Sequence, residues 1–258
     1  MSIVDQTTGT TIDEIVASIY RISTPLTDIV PGGFTFNQYL VVDTHPLLFH
    51  TGPAKMFPSI QKAVAKIIPV NTLRYISFSH FEADECGSLN DWLKAAPDAV
   101  PVCSRVAAMT SIADIAIRSP KAMADGEILS LGEHQVQWHD TPHLPHGWDC
   151  GYLFESKTRT LFCGDLFTQP GSDHEPLTVS DILETSEMMR SKMDYFAHGK
   201  KQRNLFEKLA ATQPKILACM HGSAWQGDGA RLLLKLADRI CGLPAEKTIA
   251  SAKIPAEA

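Results

Sequence analysis

Residues 80–87 read His-Phe-Glu-Ala-Asp-Glu-Cys-Gly, an imidazole and three carboxylates within six positions. Such a cluster is costly to build: the carboxylates repel one another at neutral pH, and burial penalises each charge. A divalent cation removes both penalties, so the chemistry these residues suit is metal binding. The preceding run, Leu73 to Ser79, is apolar enough to predict a buried strand. The cluster then lies at the strand's C-terminal end, where open α/β sheets often present ligands.

Three further points carry metal-ligating residues after an apolar strand pattern. His143-Leu144-Pro145-His146-Gly147 follows Val136–Asp140, Asp165 follows Thr160–Gly164, and His221 follows Ile216–Met220. A lone His or Asp at a strand end is ordinarily a hydrogen-bonding residue. Four such points sharing one chemistry predict a metal site assembled from distant segments.

The elements that would position these residues can be read from periodicity. Strands are expected at 36–42, 46–50, 73–79, 99–103, 127–131, 134–140, 151–156, 159–164 and 215–220. Helices are expected at 59–68, 87–96, 104–118, 179–196, 203–211 and 229–241. Strand-rich stretches followed by strand–helix alternation, twice over, fit two sheets packed face to face with helices outside each. One domain over 12–242 accommodates this, and 243–258, with Pro244, Pro255 and small residues, is expected to form a flexible tail.

Composition narrows the function. The chain has 258 residues, 44% hydrophobic and 20% charged, values of a globular domain with a sizeable core. A net charge of -6 and the absence of a long basic run argue against a nucleic-acid partner. No apolar stretch reaches the roughly 20 residues that span a bilayer, and residues 1–10 lack the pattern of a secretory signal. The six cysteines form no CxxC pair and read as reduced, mostly buried thiols, which makes the cytoplasm the expected address.

The pattern His80-x-Glu82-x-Asp84, a later His in a Pro- and Gly-containing turn, an Asp after Gly and a final His resemble the metallo-β-lactamase superfamily. The glutamate at the second place brings the resemblance closest to the lactamase-like domain of flavo-diiron proteins and to oxygen-binding diiron proteins. It implies an α/β, four-layer αββα sandwich. It also implies one metal held by His80, Glu82 and His143, a second by Asp84 and His221, and Asp165 between them with a bridging hydroxide or oxo group. His143 is preferred to His146 because His-x-Pro with Gly147 beyond it matches the family turn. His146 is then a donor beside a ligand or an acid–base group lining the pocket. Three His with three carboxylates form an oxygen-weighted set that suits two iron ions, with manganese or zinc as alternatives.

Glu85 departs from the pattern, since His usually stands there. It supplies a fourth carboxylate, or turns away and leaves the second metal under-coordinated, or holds a ligand or water. Trp148, Phe167, Trp225 and Phe36 lie near the inferred site loops, where aromatics could make a dry pocket, and His174 lies in a loop that could overhang it. The resemblance implies a protein that binds or reduces O2, or NO. Residues 243–258 are too few for a flavodoxin domain, so turnover is expected to need an external redox protein. A homodimer is compatible with the resemblance, although without a flavin domain its usual reason is missing. The alternative is a dinuclear hydrolase acting on a phosphodiester, thioester or lactone.

Overall fold

Eight strands of one sheet run in simple chain order, from β1 (Ser2–Asp5) through β2 (Thr10–Val16), β3 (Ile19–Leu26), β4 (Phe34–Val41), β5 (Leu47–Phe49), β6 (Tyr75–Ser77) and β7 (Val100–Ser104) to β8 (Lys121–Met123). The first five pair antiparallel and β5 to β8 pair parallel. The second sheet takes the order β13 (Leu177–Thr178), β15 (Ala224–Gln226), β14 (Ile216–Cys219), β12 (Thr160–Gly164), β11 (Gly151–Glu155), β10 (Gln135–Asp140), β9 (Ile128–Ser130). This is a computed structural model, and it describes residues 2–27 and 31–242. The expected C-terminal tail lies outside the described residues.

Three hydrophobic clusters define the layers. The helices Phe57–Val64 and Leu89–Ala95 cover the outer face of the first sheet through Ile60, Val64, Trp92 and Leu93. The helices Leu183–Met193, Gln202–Ala211 and Gly229–Cys241 cover the outer face of the second through Leu183, Phe206, Leu209, Leu233 and Leu236. Between the sheets lie Tyr39, Phe49, Trp138, Leu153 and Phe162. The architecture is the four-layer αββα sandwich expected from the sequence.

Local chemistry explains where the helices begin and end. Asp228 caps Gly229–Cys241 by accepting the Arg231 N–H at 3.0 Å, and Leu232, Leu233, Leu236 and Ala237 recur on its buried stripe. The helix expected over 179–196 starts only at Leu183, whose N–H is taken by the Asp181 carboxylate at 2.7 Å. It stops at Met193, before a left-handed Asp194. The helix expected over 104–118 is broken into Arg105–Ala107, a widened turn Ala108–Ile112, and Ala113–Ile115. Asn90 ends it there, donating to the Ile115 carbonyl and accepting the Ile117 N–H. β1 to β3, absent from the sequence reading, form one edge of the first sheet.

Strand direction brings together the loops that carry the candidate ligands. β5, β6, β12 and β14 all end at the same edge of the sandwich, and β12 and β14 are parallel neighbours with Gly164 opposite Cys219. Main-chain bonds stitch the strand ends across the sheets: Gly151 N to Ser79 O at 2.9 Å, Met220 N to Gly164 O at 2.8 Å, and Asn37 N to Met220 O at 2.9 Å. Among the described residues no helix is long and apolar enough to cross a membrane.

Candidate metal centre

His80 lies just beyond β6, with Glu82 at the start of the helical turn Ala83–Cys86 and Asp84 within it. Asp165 directly follows β12 and His221 lies two residues past β14. These residues converge. His80 Nε2 is 3.5 Å from Glu82 Oε1 and 3.6 Å from Asp165 Oδ2, and His221 Nε2 is 3.3 Å from Asp165 Oδ1 and 3.6 Å from Asp84 Oδ2.

The loop between β10 and β11 contributes His146, not His143. His146 Nε2 stands 2.9 Å from His80 Nε2, 3.1 Å from Glu82 Oε1 and 3.5 Å from Asp165 Oδ2. His143 is exposed, takes a left-handed backbone at φ 64°, and gives its N–H to the Gly147 carbonyl. The expectation that His143 points into the site is therefore corrected. Its neighbour Leu144 is wholly buried in the core outside the second sheet, which turns His143 to solvent, and the chain reverses to bring His146 inward. Gly147, at φ 75°, completes the reversal; a Cβ there would come 3.3 Å from His80 Cβ.

Each imidazole is anchored through Nδ1 and aims Nε2 at the cluster. His146 Nδ1 meets the Tyr195 carbonyl at 2.8 Å and His221 Nδ1 meets the Thr35 carbonyl at 2.7 Å. A carbonyl only accepts, so both Nδ1 atoms carry the proton and both Nε2 atoms present lone pairs when the rings are neutral. His80 Nδ1 meets Ser79 Oγ at 3.0 Å. Phe34 and Phe36 pack on the His221 ring at centroid distances of 4.3 and 5.2 Å.

The fit to metal ions follows from this arrangement. The imidazole Nε2 atoms of His80, His146 and His221 and the Glu82 and Asp165 oxygens converge on one space, a donor set that fits metal cations. The 2.9 Å between His80 Nε2 and His146 Nε2 is the spacing of two adjacent ligands on one ion with bonds of ~2.1 Å. Asp165, only 6% exposed, sends Oδ2 toward His80 and His146 and Oδ1 toward His221. Asp165 Oδ1 has no hydrogen-bond partner, and both Glu85 carboxylate oxygens are likewise buried and unpartnered. His80, His146 and Asp165 form one compact donor group, and His80, Glu82 and Glu85 another.

The electrostatics carry the same signature. Burial would lower the His80 and His146 imidazoles, but nearby carboxylates outweigh it and raise both, Glu85 first among them for His80 and Glu82 for His146. Glu82 is drawn down to about 2 by hydrogen bonds to His146 and His80. Burial would raise Asp165, but His221, His80 and His146 hold it below the carboxylate range. Glu85 goes the other way: burial first, then the Asp165 charge, push it well above that range. The cluster therefore attracts positive charge, and its buried base is where a carboxylate charge is least favoured.

A cavity of about 420 Å³ opens over the cluster. Glu82, Asp84, His146, Asp165 and His221 form its floor, and Phe34, Met189, Met193, Thr168 and Tyr195 its walls. Apart from Thr168, in the loop after β12, these wall residues come from β4, the helix Leu183–Met193 and the segment after it, which only the fold brings near. Of the aromatics considered from sequence, Phe167 is buried in the core and Trp148 is 59% exposed. His174 binds the Gly171 carbonyl at 3.1 Å and lines a separate cavity beside Arg21. Cys86 is a buried thiol bonded to the Glu82 carbonyl at 3.2 Å, and among the six free cysteines only Cys241 is exposed.

Buried polar side chains lock the loop that carries His221. Arg21 Nη2 and Asn37 Nδ2 donate to the Gly222 carbonyl at 2.7 and 2.8 Å, and Tyr39 OH donates to the Cys219 carbonyl at 2.7 Å. Gly222 itself sits at φ 93°, and a Cβ there would meet the Gln169 side chain at 2.5 Å.

A family model described as ODP family beta lactamase matches residues 34–222. The chain belongs to this family. It is 26% identical over 206 residues to the rubredoxin-oxygen oxidoreductase of Megalodesulfovibrio gigas, covering 76% of this chain and 50% of that protein. It is 25% identical over 204 residues to a putative diflavin flavoprotein A 2 of Synechocystis sp., covering 75% and 34% respectively. A mutant flavo di-iron protein from Thermotoga maritima superposes with a TM-score of 0.79 at 23% identity, over 92% of this chain and 63% of that one. The chain thus spans a third to a half of the length of these curated relatives. The structural match shows a shared fold, the lactamase-like core of flavodiiron proteins.

Proposed function

We propose that this chain holds a dinuclear iron centre that binds or reduces dioxygen, or nitric oxide, with electrons from an external redox protein. The observation that carries the reading is the division of the two Asp165 oxygens between His80 with His146 on one side and His221 on the other. His80, Glu82 and His146 would hold one ion, Asp84 and His221 the other, and Asp165 would join them. The donor set is weighted toward oxygen and lacks thiolate, which favours iron over zinc. The name of the Megalodesulfovibrio gigas relative, with its oxygen and rubredoxin, supports both the diatomic and the protein donor.

Two ferrous ions in this site would each supply one electron to a diatomic ligand. The chain's own residues do the rest. Phe34, Met189 and Met193 make an apolar wall that limits water over the cluster and suits an uncharged diatomic. The main-chain carbonyls of Tyr195 and Thr35 keep protons on the Nδ1 atoms of His146 and His221, so both Nε2 atoms face the site. Glu85 lies in the buried floor with both carboxylate oxygens unpartnered, and Tyr195 OH donates to the Asp165 main-chain carbonyl at 3.4 Å from the cavity wall.

The test is anaerobic reconstitution with Fe(II) followed by stopped-flow mixing with O2. An optical transient in the near ultraviolet, bleached by dithionite and restored by air, is expected. No optical change, together with turnover of a nitrophenyl phosphodiester, would establish the hydrolytic alternative instead.

A further inference from the structure

The three imidazoles of the centre are not anchored alike. His146 and His221 rest on main-chain carbonyls, which fix their protonated nitrogen without choice. His80 rests on the Ser79 hydroxyl at 3.0 Å, and that hydroxyl meets His50 Nε2 at 3.1 Å. The chain of three is sealed: His50 is 0%, Ser79 1% and His80 1% exposed. It exists because β5 and β6 are parallel neighbours. His50 directly follows β5 and gives its N–H to the Ser77 carbonyl at 2.8 Å, which places its ring behind Ser79.

A hydroxyl gives one proton and accepts up to two, so the Ser79 O–H goes to His50, to His80, or to neither while both rings donate to it. In the first, His80 Nδ1–H donates to Ser79, whose O–H donates to His50 Nε2. In the second, His50 Nε2–H donates to Ser79, whose O–H donates to His80 Nδ1, leaving the His80 proton on Nε2. The second blocks the metal-facing nitrogen. The first and third leave it free, with the His50 proton on Nδ1 or on Nε2 respectively, and burial depresses His50 to about 3, which keeps that ring neutral in either. His50 also holds a left-handed backbone at φ 65°, and its Phe49 neighbour packs against the ring at 4.3 Å.

We propose that Ser79 and His50 are positioning residues that fix the tautomer and orientation of His80, and so set the affinity and electronic character of the ion bound by His80, Glu82 and His146. The inference rests on the metal-centre reading above but not on dioxygen chemistry. The ion held by Asp84 and His221 has no such relay and serves as an internal control.

The experiment titrates the full chain with Co(II) and Zn(II) under chelator competition, resolving two binding constants. The variants are Ser79→Ala, Ser79→Thr and His50→Asn. Asparagine tolerates the left-handed backbone but is too short to reach Ser79. The ion that His146→Ala removes identifies the position of interest. Ser79→Ala and His50→Asn are expected to weaken that ion by about 10–100-fold and to shift its Co(II) absorption bands, the other ion being unchanged. Ser79→Thr, which keeps a hydroxyl, restores both. The proposal is overturned by unchanged constants and spectra in both variants, or by equal weakening of both ions. Two ions bound with normal relay behaviour but no reaction with O2 would sink the functional reading and leave this one standing.

Discussion

Truncating His146 to alanine separates the site proposed here from the one the turn motif suggests. Its Nε2 lies within 3.5 Å of His80, Glu82 and Asp165, so alanine removes one of four donors to the ion nearest His80. Structural metal sites of four ligands are worth about 10–16 kcal/mol, or ~3–4 kcal/mol per ligand, which corresponds to a loss of roughly 10²–10³-fold in affinity. The fold itself should tolerate the change. The side chain is 24% exposed, and the chief loss is one hydrogen bond to the Tyr195 carbonyl, about 1 kcal/mol. His143→Ala, by contrast, removes an exposed ring that touches none of these groups. Metal content after chelator challenge, measured alongside the melting temperature, is the assay. His146→Ala should retain about one ion per chain and His143→Ala two. Loss of an ion from His143→Ala, with His146→Ala unaffected, would refute the reasoning.

Three other outcomes are expected. Glu82→His makes the donor set richer in nitrogen and should shift preference from iron toward zinc in a competitive reconstitution read by elemental analysis; an unchanged ratio would contradict the donor-type argument. Gly222→Ala places a Cβ 2.5 Å from Gln169 at φ 93° and should cost about 1–3 kcal/mol in denaturant unfolding; a cost below ~0.5 kcal/mol would show that Gln169 yields freely. His139, buried with Lys208 nearby, has its ionisation lowered by burial first and then by that lysine. A histidine harder to protonate when folded gives stability that is full above its unfolded value near 6.5 and lost as pH falls through it. His139→Gln should therefore flatten the decline in melting temperature below pH 6.5, and an unaltered decline would count against it.

The parts of the centre that could be read from sequence are those whose geometry is local. His80, Glu82 and Asp84 share one strand-end loop, so their spacing alone brings them together, and Asp165 and His221 each end an apolar strand whose direction fixes the edge they face. The choice between His143 and His146 was not local. It depends on Leu144 being drawn into the core and on the Tyr195 carbonyl, 49 positions away, holding His146. His50 carried no signal either, because its partner Ser79 is adjacent only through the parallel pairing of β5 with β6. The strand β3 escaped notice because its polar residues Arg21, Ser23 and Thr24 are buried instead of alternating outward, Arg21 binding the Gly222 carbonyl.

Crystals of the protein loaded anaerobically with Fe(II), measured at the iron edge, address the central claim most directly. Two anomalous peaks are expected, one within bonding distance of His80, Glu82 and His146 and one beside Asp84 and His221, with an Asp165 oxygen reaching each. A single peak, or iron bound away from Asp165, would contradict it.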